Sequence, residues 1–222
     1  MLLTFSGLDG AGKSTQISLL VDWLENNGSK VVCLWARGGY TPGFERLKRI
    51  FRLLMKQSLP APGKSVSRKK KLAQPWVAKI WLTFAIVDLI FFWGVYLRFQ
   101  KLRGHVVICD RYLDDTKLDF KQNFPHVKFE SMFVWRLMKL IAPKPDISIL
   151  LWVSVKKSIE RSLLKSEPFP DDPDTLKWRL SSYLDENKFP PSKFKKIECS
   201  NDIKTVNKKI TLEVKSLLGN IV

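Results

Sequence analysis

The sequence predicts an α/β fold, a three-layer sandwich in which a central parallel sheet carries helices on both faces. Short apolar runs alternate with helically spaced segments over most of the 222 residues, the pattern of a parallel sheet covered on both sides. A glycine-rich loop directly follows the first apolar run and opens the first helical segment. A later apolar run ends in a carboxylate. With 45% hydrophobic residues the chain has material for one sizeable core, and 1–222 reads as a single domain.

Leu2 to Phe5 is a short, mostly apolar run closed by Ser6 and Gly7, and Lys13 to Glu25 has helical spacing. Val31 to Trp35 is the second strand, ending ahead of Gly38 and Gly39. Gly43 to Gln57 places Phe44, Leu47, Ile50 and Leu54 on one helical face with cations on the other. The rhythm then breaks. Pro60, Pro62, Gly63 and the run Arg68-Lys69-Lys70-Lys71 mark 58–74 as an exposed basic loop insertion. His105 to Ile108, Ile147 to Val153 and Lys196 to Cys199 are the later strands. Phe129 to Ile141, Val155 to Leu164, Asp174 to Asn187 and Ile203 to Leu218 are the later helices.

A net charge of +17 predicts attraction to polyanions, whether nucleotide phosphates, nucleic acid or an anionic membrane, without choosing among them. Cys33, Cys109 and Cys199 lack the spacing of a metal or redox motif and fall in strand-like runs, so they read as buried, reduced thiols of a cytoplasmic protein. Met1 runs straight into a strand, which predicts no secretory leader.

Gly7-Leu8-Asp9-Gly10-Ala11-Gly12-Lys13-Ser14-Thr15 fits G-x-x-x-x-G-K-[ST] between a strand and a helix, the context that marks a P-loop and with it the P-loop NTPase sandwich. The chemistry needs each part. Gly7, Gly10, Ala11 and Gly12 are small enough for the backbone to approach phosphates and turn N–H groups toward them. The helix N-terminus adds a favourable dipole. Lys13 neutralises β- and γ-phosphate charge, and the Ser14 hydroxyl, beside Thr15, is a Mg²⁺ ligand. In Val106-Val107-Ile108-Cys109-Asp110-Arg111-Tyr112, Asp110 is a second Mg²⁺ ligand and Arg111 neutralises charge on a transferring phosphoryl group. The cofactors this implies are ATP and Mg²⁺.

These two segments resemble the thymidylate kinase family of nucleoside-monophosphate kinases. The loop has the form G-x-D-G-x-G-K-S-T with Asp9 inside it, and Gly104-His105-Val106-Val107-Ile108-Cys109-Asp110-Arg111-Tyr112 is similar to the family's G-x-V-V-I-x-D-R-Y. The resemblance implies that Arg37 and Arg111 serve the acceptor phosphate, that Asp9, Phe84, Asp88 and Tyr112 line the acceptor side, and that Asn201 sits in the adenine-side loop. It implies a lid at 165–174 in which Arg161 and Lys165 face the donor, and a homodimer. Three segments depart from the family pattern. Gly38-Gly39-Tyr40-Thr41-Pro42 replaces Glu-Pro-Gly-Gly-Thr, Leu89 follows Val87-Asp88 where a base-reading arginine is usual, and Lys165 replaces an arginine.

Ile80 to Leu97 approaches the length of a membrane span. A single crossing would put the first two strands and the later ones on opposite sides of the bilayer, so a span is rejected. The helix is buried beside the acceptor, with Trp81, Phe84, Asp88 and Phe92 on one stripe, or 76–99 lies in the interface of an anionic membrane beside 68–71, or the helix only fills the core. The leading function is Mg·ATP-dependent transfer of the γ-phosphoryl group to a small-molecule acceptor, a nucleoside monophosphate such as dTMP. The alternatives are a lipid-linked, apolar or sugar acceptor, a family member that binds ATP without turnover, and an ATP-dependent nucleic-acid binder. The last is disfavoured because the cations are not interleaved with aromatics on one strand face.

Overall fold

A computed structural model describes residues 1–36, 41, 74–164, 171–190 and 192–218. The helix expected over 43–57, the basic loop except Gln74, and the first six residues of the expected lid lie outside this set. In chain order the described elements are β1 (Leu2–Gly7), α1 (Lys13–Asn26), β2 (Val31–Trp35), α2 (Pro75–Leu89), β3 (Val106–Asp110) and α3 (Leu113–Asn123). They continue with α4 (Phe133–Ile141), β4 (Ile147–Trp152), α5 (Val155–Leu164), α6 (Pro173–Leu184), β5 (Lys195–Glu198) and α7 (Ile203–Leu218). Two compact units make up the chain: Met1–Trp35 with Gln100–Asp115 and Lys144–Val222, and Ala36–Phe99 with Thr116–Pro143.

The first unit holds all five described strands, every pairing parallel, in the order β2-β3-β1-β4-β5. Every residue of β1 is buried, which is why it reads as a continuous apolar run and not as an alternation. Leu3, Phe5, Ile108, Ile149 and Leu151 pack with Ile17, Leu20 and Leu24 of α1 and with Ile210 and Val214 of α7. Thr4 and Ser148 point the other way and satisfy each other, Thr4 Oγ1 and Ser148 Oγ lying 2.9 Å apart. β1 is central, with β3 and β4 on either side, so the loops leaving β1 and β3 emerge next to each other at the carboxyl edge, where open α/β sheets bind ligands. Cys109 and Cys199 are buried as expected, but Cys33 is exposed, because β2 is an edge strand with one face open. β2 and β3 pair in register from Val31↔Val106 to Trp35↔Asp110, which excludes a single membrane crossing between them.

In the second unit α2 continues through a π-helical stretch, Ile90–Leu97, into a last α turn beginning at Arg98. Its inward face carries Ala78, Leu82, Ala85, Ile86, Leu89, Trp93, Gly94 and Leu97. Gly94 is required there, since a Cβ would meet Ile141 Cγ2 at 2.4 Å. Arg98 Nη2 donates to the Ile141 carbonyl at 2.7 Å and caps the end of α4. Phe120, Phe129 and Trp135 pack edge to face, and Trp81 lies on Phe124 with ring centres 5.2 Å apart. Phe92 stacks on Tyr96 within the π-helical stretch, and Asp88 accepts a hydrogen bond from the Thr41 hydroxyl.

Candidate active site

The loop between β1 and α1 turns through three glycines with positive φ, Gly7, Gly10 and Gly12. A Cβ at Gly7 would lie 2.0 Å from the Leu151 carbonyl oxygen on the paired strand β4. At Gly10 it would lie 2.6 Å from the Ser158 carbonyl oxygen. At Gly12 it would meet nothing within 4 Å, so there is open space beside the loop at that point. α1 starts directly from Gly12, with no side-chain cap and no acid in its first turn, leaving its first N–H groups for an anion. Ser158 Oγ donates to the Asp9 carbonyl at 2.6 Å, and Arg161 bridges the carbonyls of Gly10 (3.3 Å) and Cys199 (3.0 Å). α5 therefore holds the back of the loop.

Lys13 is buried and curls over the loop, donating to the carbonyls of Leu8 (2.8 Å) and Gly7 (3.1 Å), with Asp9 Oδ1 4.0 Å away. Burial, reinforced by the Arg111 charge, lowers its ammonium to about 8. Arg111 follows β3 in the left-handed region (φ 77°), and its backbone N–H bonds the Phe5 carbonyl at 2.9 Å. Its guanidinium pairs with Asp9 on the loop and lies 3.9 Å from Asp115. Asp110 ends β3 beside β1, and burial raises its carboxyl above the usual range. Its Oδ1 is buried without a protein partner.

These donors fit Mg²⁺. An unpartnered buried carboxylate oxygen and the exposed Ser14 hydroxyl are hard oxygen ligands, and Mg²⁺ commonly takes only one or two protein ligands beside substrate phosphates. Thr15 is exposed beside Ser14.

Sequence reading missed what holds Arg111. Asp115, 1% exposed, accepts from Ser6 Oγ (2.6 Å), the Tyr183 hydroxyl (2.6 Å) and the Tyr112 backbone N–H (3.1 Å). Burial and the Asp115 charge push the Tyr183 phenol well above its ordinary value, which keeps it a donor. Two signals were present: the i, i+4 spacing of Arg111 and Asp115, and the acidic pair Asp114-Asp115 opening a helix. Of the sequence-predicted residues, Asp9, Lys13, Asp110, Arg111 and Tyr112 converge in the first unit. Asn201 is exposed ahead of α7. Phe84 and Asp88 belong to the second unit. Arg37 and Lys165 lie outside the described residues, and the described end of the expected lid is the cap and first turn of α6, where Asp172 accepts from the Thr175 N–H at 2.9 Å.

A phosphate loop on the central strand of a parallel sheet, with a strand-end carboxylate next to it, defines a P-loop kinase. No family model matches the chain. A thymidylate kinase of Bartonella henselae is 28% identical over 94% of this chain and 92% of its own length. A probable thymidylate kinase of Thermococcus kodakarensis is 29% identical over 99% of both chains, and one of Pyrococcus abyssi is 32% identical over 72% of this chain and 68% of its own. The chain belongs to the thymidylate kinase family.

Proposed function

We propose that the chain transfers the γ-phosphoryl group of ATP to a nucleoside monophosphate, with thymidylate as the acceptor to test first. One observation carries the reading: Asp9 of the phosphate loop is tied to Arg111 beyond β3, which places a cation of the next strand end at the loop. The Gly7–Thr15 backbone and the start of α1 grip the donor phosphates. Lys13, now bonded to loop carbonyls, exchanges them for phosphate oxygens. Ser14 and Asp110 would hold Mg²⁺, which supplies charge neutralisation across the β- and γ-phosphates. Arg111 is oriented by two carboxylates before any substrate arrives, so little reorganisation accompanies transfer. In-line transfer asks for positioning more than covalent help, and these groups supply it. The curated relatives carry the name thymidylate kinase, which supports thymidylate for this chain.

A second reading keeps the reaction and changes the acceptor. At the position where the family resemblance expects a base-reading arginine stands Leu89, fully buried in the inward face of α2, so no cation comes from there. ATP consumption with Mg²⁺ against thymidylate, the other nucleoside monophosphates, simple sugars and a polyprenol decides between the two. Turnover with thymidylate supports the first reading. Turnover with only a sugar or polyprenol replaces it with the second, and no turnover with any acceptor refutes both.

A further inference from the structure

Gln16 is a buried polar residue that lies just outside the phosphate-loop motif, on α1 directly after Thr15 and 3% exposed. Its backbone N–H donates to the Gly12 carbonyl at 3.0 Å and closes the first turn that opens from the loop. Its side-chain Nε2 donates to the Ile203 carbonyl at 3.0 Å, 187 residues away, at the first residue of α7. Its Oε1 is buried without a protein partner among the described residues. Burying an amide with one end unsatisfied is unfavourable, and an apolar side chain of the same length would avoid that cost. Packing does not ask for a polar group there, because Ile17, Leu20 and Leu24 of α1 already meet Ile210 and Val214 of α7 in the core.

The segment that Gln16 reaches, Cys199–Ile203, leaves the carboxyl end of β5. Three of its carbonyls accept from side chains of the helices that frame the phosphate loop: Cys199 from Arg161 (3.0 Å), Ser200 from Lys157 (2.9 Å) and Ile203 from Gln16. Arg161 also donates to the Gly10 carbonyl, so the segment stands within one guanidinium of the loop. β3, with Asp110 and Arg111, flanks β1 on one side, and β4 and β5 lie on the other. With the acceptor facing Arg111, a donor whose triphosphate lies in the loop has its nucleoside on the β4–β5 side, where Ser200, Asn201 and Asp202 are exposed.

We propose that Gln16 is a positioning residue for the donor nucleoside. It ties the helix that opens from the phosphate loop to the segment on which base and ribose rest, so the two ends of the donor meet sites already held at the right spacing. Arg161 and Lys157 hold that segment from α5, and Gln16 makes the corresponding tie from α1 itself. The proposal rests on the reading that ATP is the donor.

The test is calorimetric titration of the full-length protein with Mg·ATP and, separately, with Mg·tripolyphosphate, which reaches the phosphate loop but carries no nucleoside. In Gln16→Met, which keeps the length and removes the amide, ATP affinity is expected to fall roughly 3–10-fold, about the contribution of one hydrogen bond, while tripolyphosphate affinity stays within about twofold. A purely structural role would weaken both ligands or neither, so a selective loss supports the proposal. Gln16→Asn, one methylene too short to reach Ile203, is expected to show the same split and serves alone if Gln16→Met does not fold. Equal loss of both ligands, or unchanged ATP affinity in a folded variant, overturns the proposal and leaves the donor reading intact. Failure of both variants to fold also overturns it, by making the tie a requirement of the fold. Wild-type protein that binds tripolyphosphate but not ATP, or binds neither, refutes the donor reading itself and the proposal with it.

Discussion

The Tyr183 hydroxyl donates to Asp115 Oδ1 at 2.6 Å, so a residue of α6 fixes the carboxylate that flanks Arg111. Ser6 Oγ occupies the other oxygen, Oδ2, at the same distance. Tyr183→Phe keeps the ring packed on Phe189 and Phe194 and removes only the donor. The expected cost is about 1–3 kcal/mol, because a buried charged acceptor loses a partner. Asp115→Ala removes the acceptor from three donors and a buried arginine, for about 3–5 kcal/mol. Urea denaturation measures both. Costs below about 0.5 kcal/mol for both variants would show that the cluster does not hold the site together.

Much of this was legible in the sequence, and the rest was not, for a physical reason. The phosphate loop is local: Gly7 to Thr15 build their own site from nine consecutive residues, so the motif shows it. Val31–Trp35, Val155–Leu164 and Ile203–Leu218 fall where periodicity placed them, since each presents a regular face to the sheet or core. β1 runs two residues past its apolar stretch because Ser6 and Gly7 pair with Leu150 and Leu151. α3 went unseen because its buried positions include Asp115, Thr116 and Asp119 beside Leu118 and Phe120, which breaks the apolar period. The Asp115 cluster joins Ser6 to Tyr183 through contacts 109 and 68 residues apart, beyond any local pattern.

Gly10 and Gly12 have similar backbones but different surroundings. At Gly10 (φ 74°) an added Cβ meets the Ser158 carbonyl oxygen at 2.6 Å, and at Gly12 (φ 92°) it meets open space. Gly10→Ala therefore adds a clash to backbone strain, for a total above about 2 kcal/mol. Gly12→Ala carries the strain alone, about 1–2 kcal/mol. Its methyl enters the open space beside the loop, which the proposed function gives to the phosphates. Nucleotide affinity, read by calorimetry, is expected to fall at least as far in Gly12→Ala as in Gly10→Ala, although Gly12→Ala is the more stable variant. A less stable Gly12→Ala, or one with unchanged nucleotide affinity, would show that the loop's open side is not the phosphate side.

Asp110→Asn tests the proposed metal ligand. The amide is nearly isosteric and relieves a carboxyl that burial already holds above its usual range, so stability is expected to hold or rise slightly. An amide oxygen is a weaker, uncharged ligand. The Mg²⁺ concentration for half-maximal turnover is expected to rise on the order of 10–100-fold, the range seen when metal sites lose a supporting group. An unchanged Mg²⁺ requirement would remove Asp110 from the metal site.

Lys13 gives the folded protein a pH signature of its own. Its ammonium titrates at about 8 in the fold, against 10.5 for an ordinary lysine, with burial as the main cause. Below about 8 it is protonated in both folded and unfolded chains, and the cost of burying the charge is present in full. Between about 8 and 10.5 the unfolded chain still holds a proton that the folded chain has released, so this group makes stability rise with pH across that window. In Lys13→Met the contribution is absent. Subtracting the variant's stability curve from the wild type's isolates the lysine from other groups that titrate there. The difference is expected to climb in favour of the wild type between about pH 8 and 10.5, and to flatten when nucleotide is bound, because phosphate charge restores the ammonium. A difference that does not change with pH would show that Lys13 is solvated rather than buried, and that the loop does not hold it poised over the phosphate site.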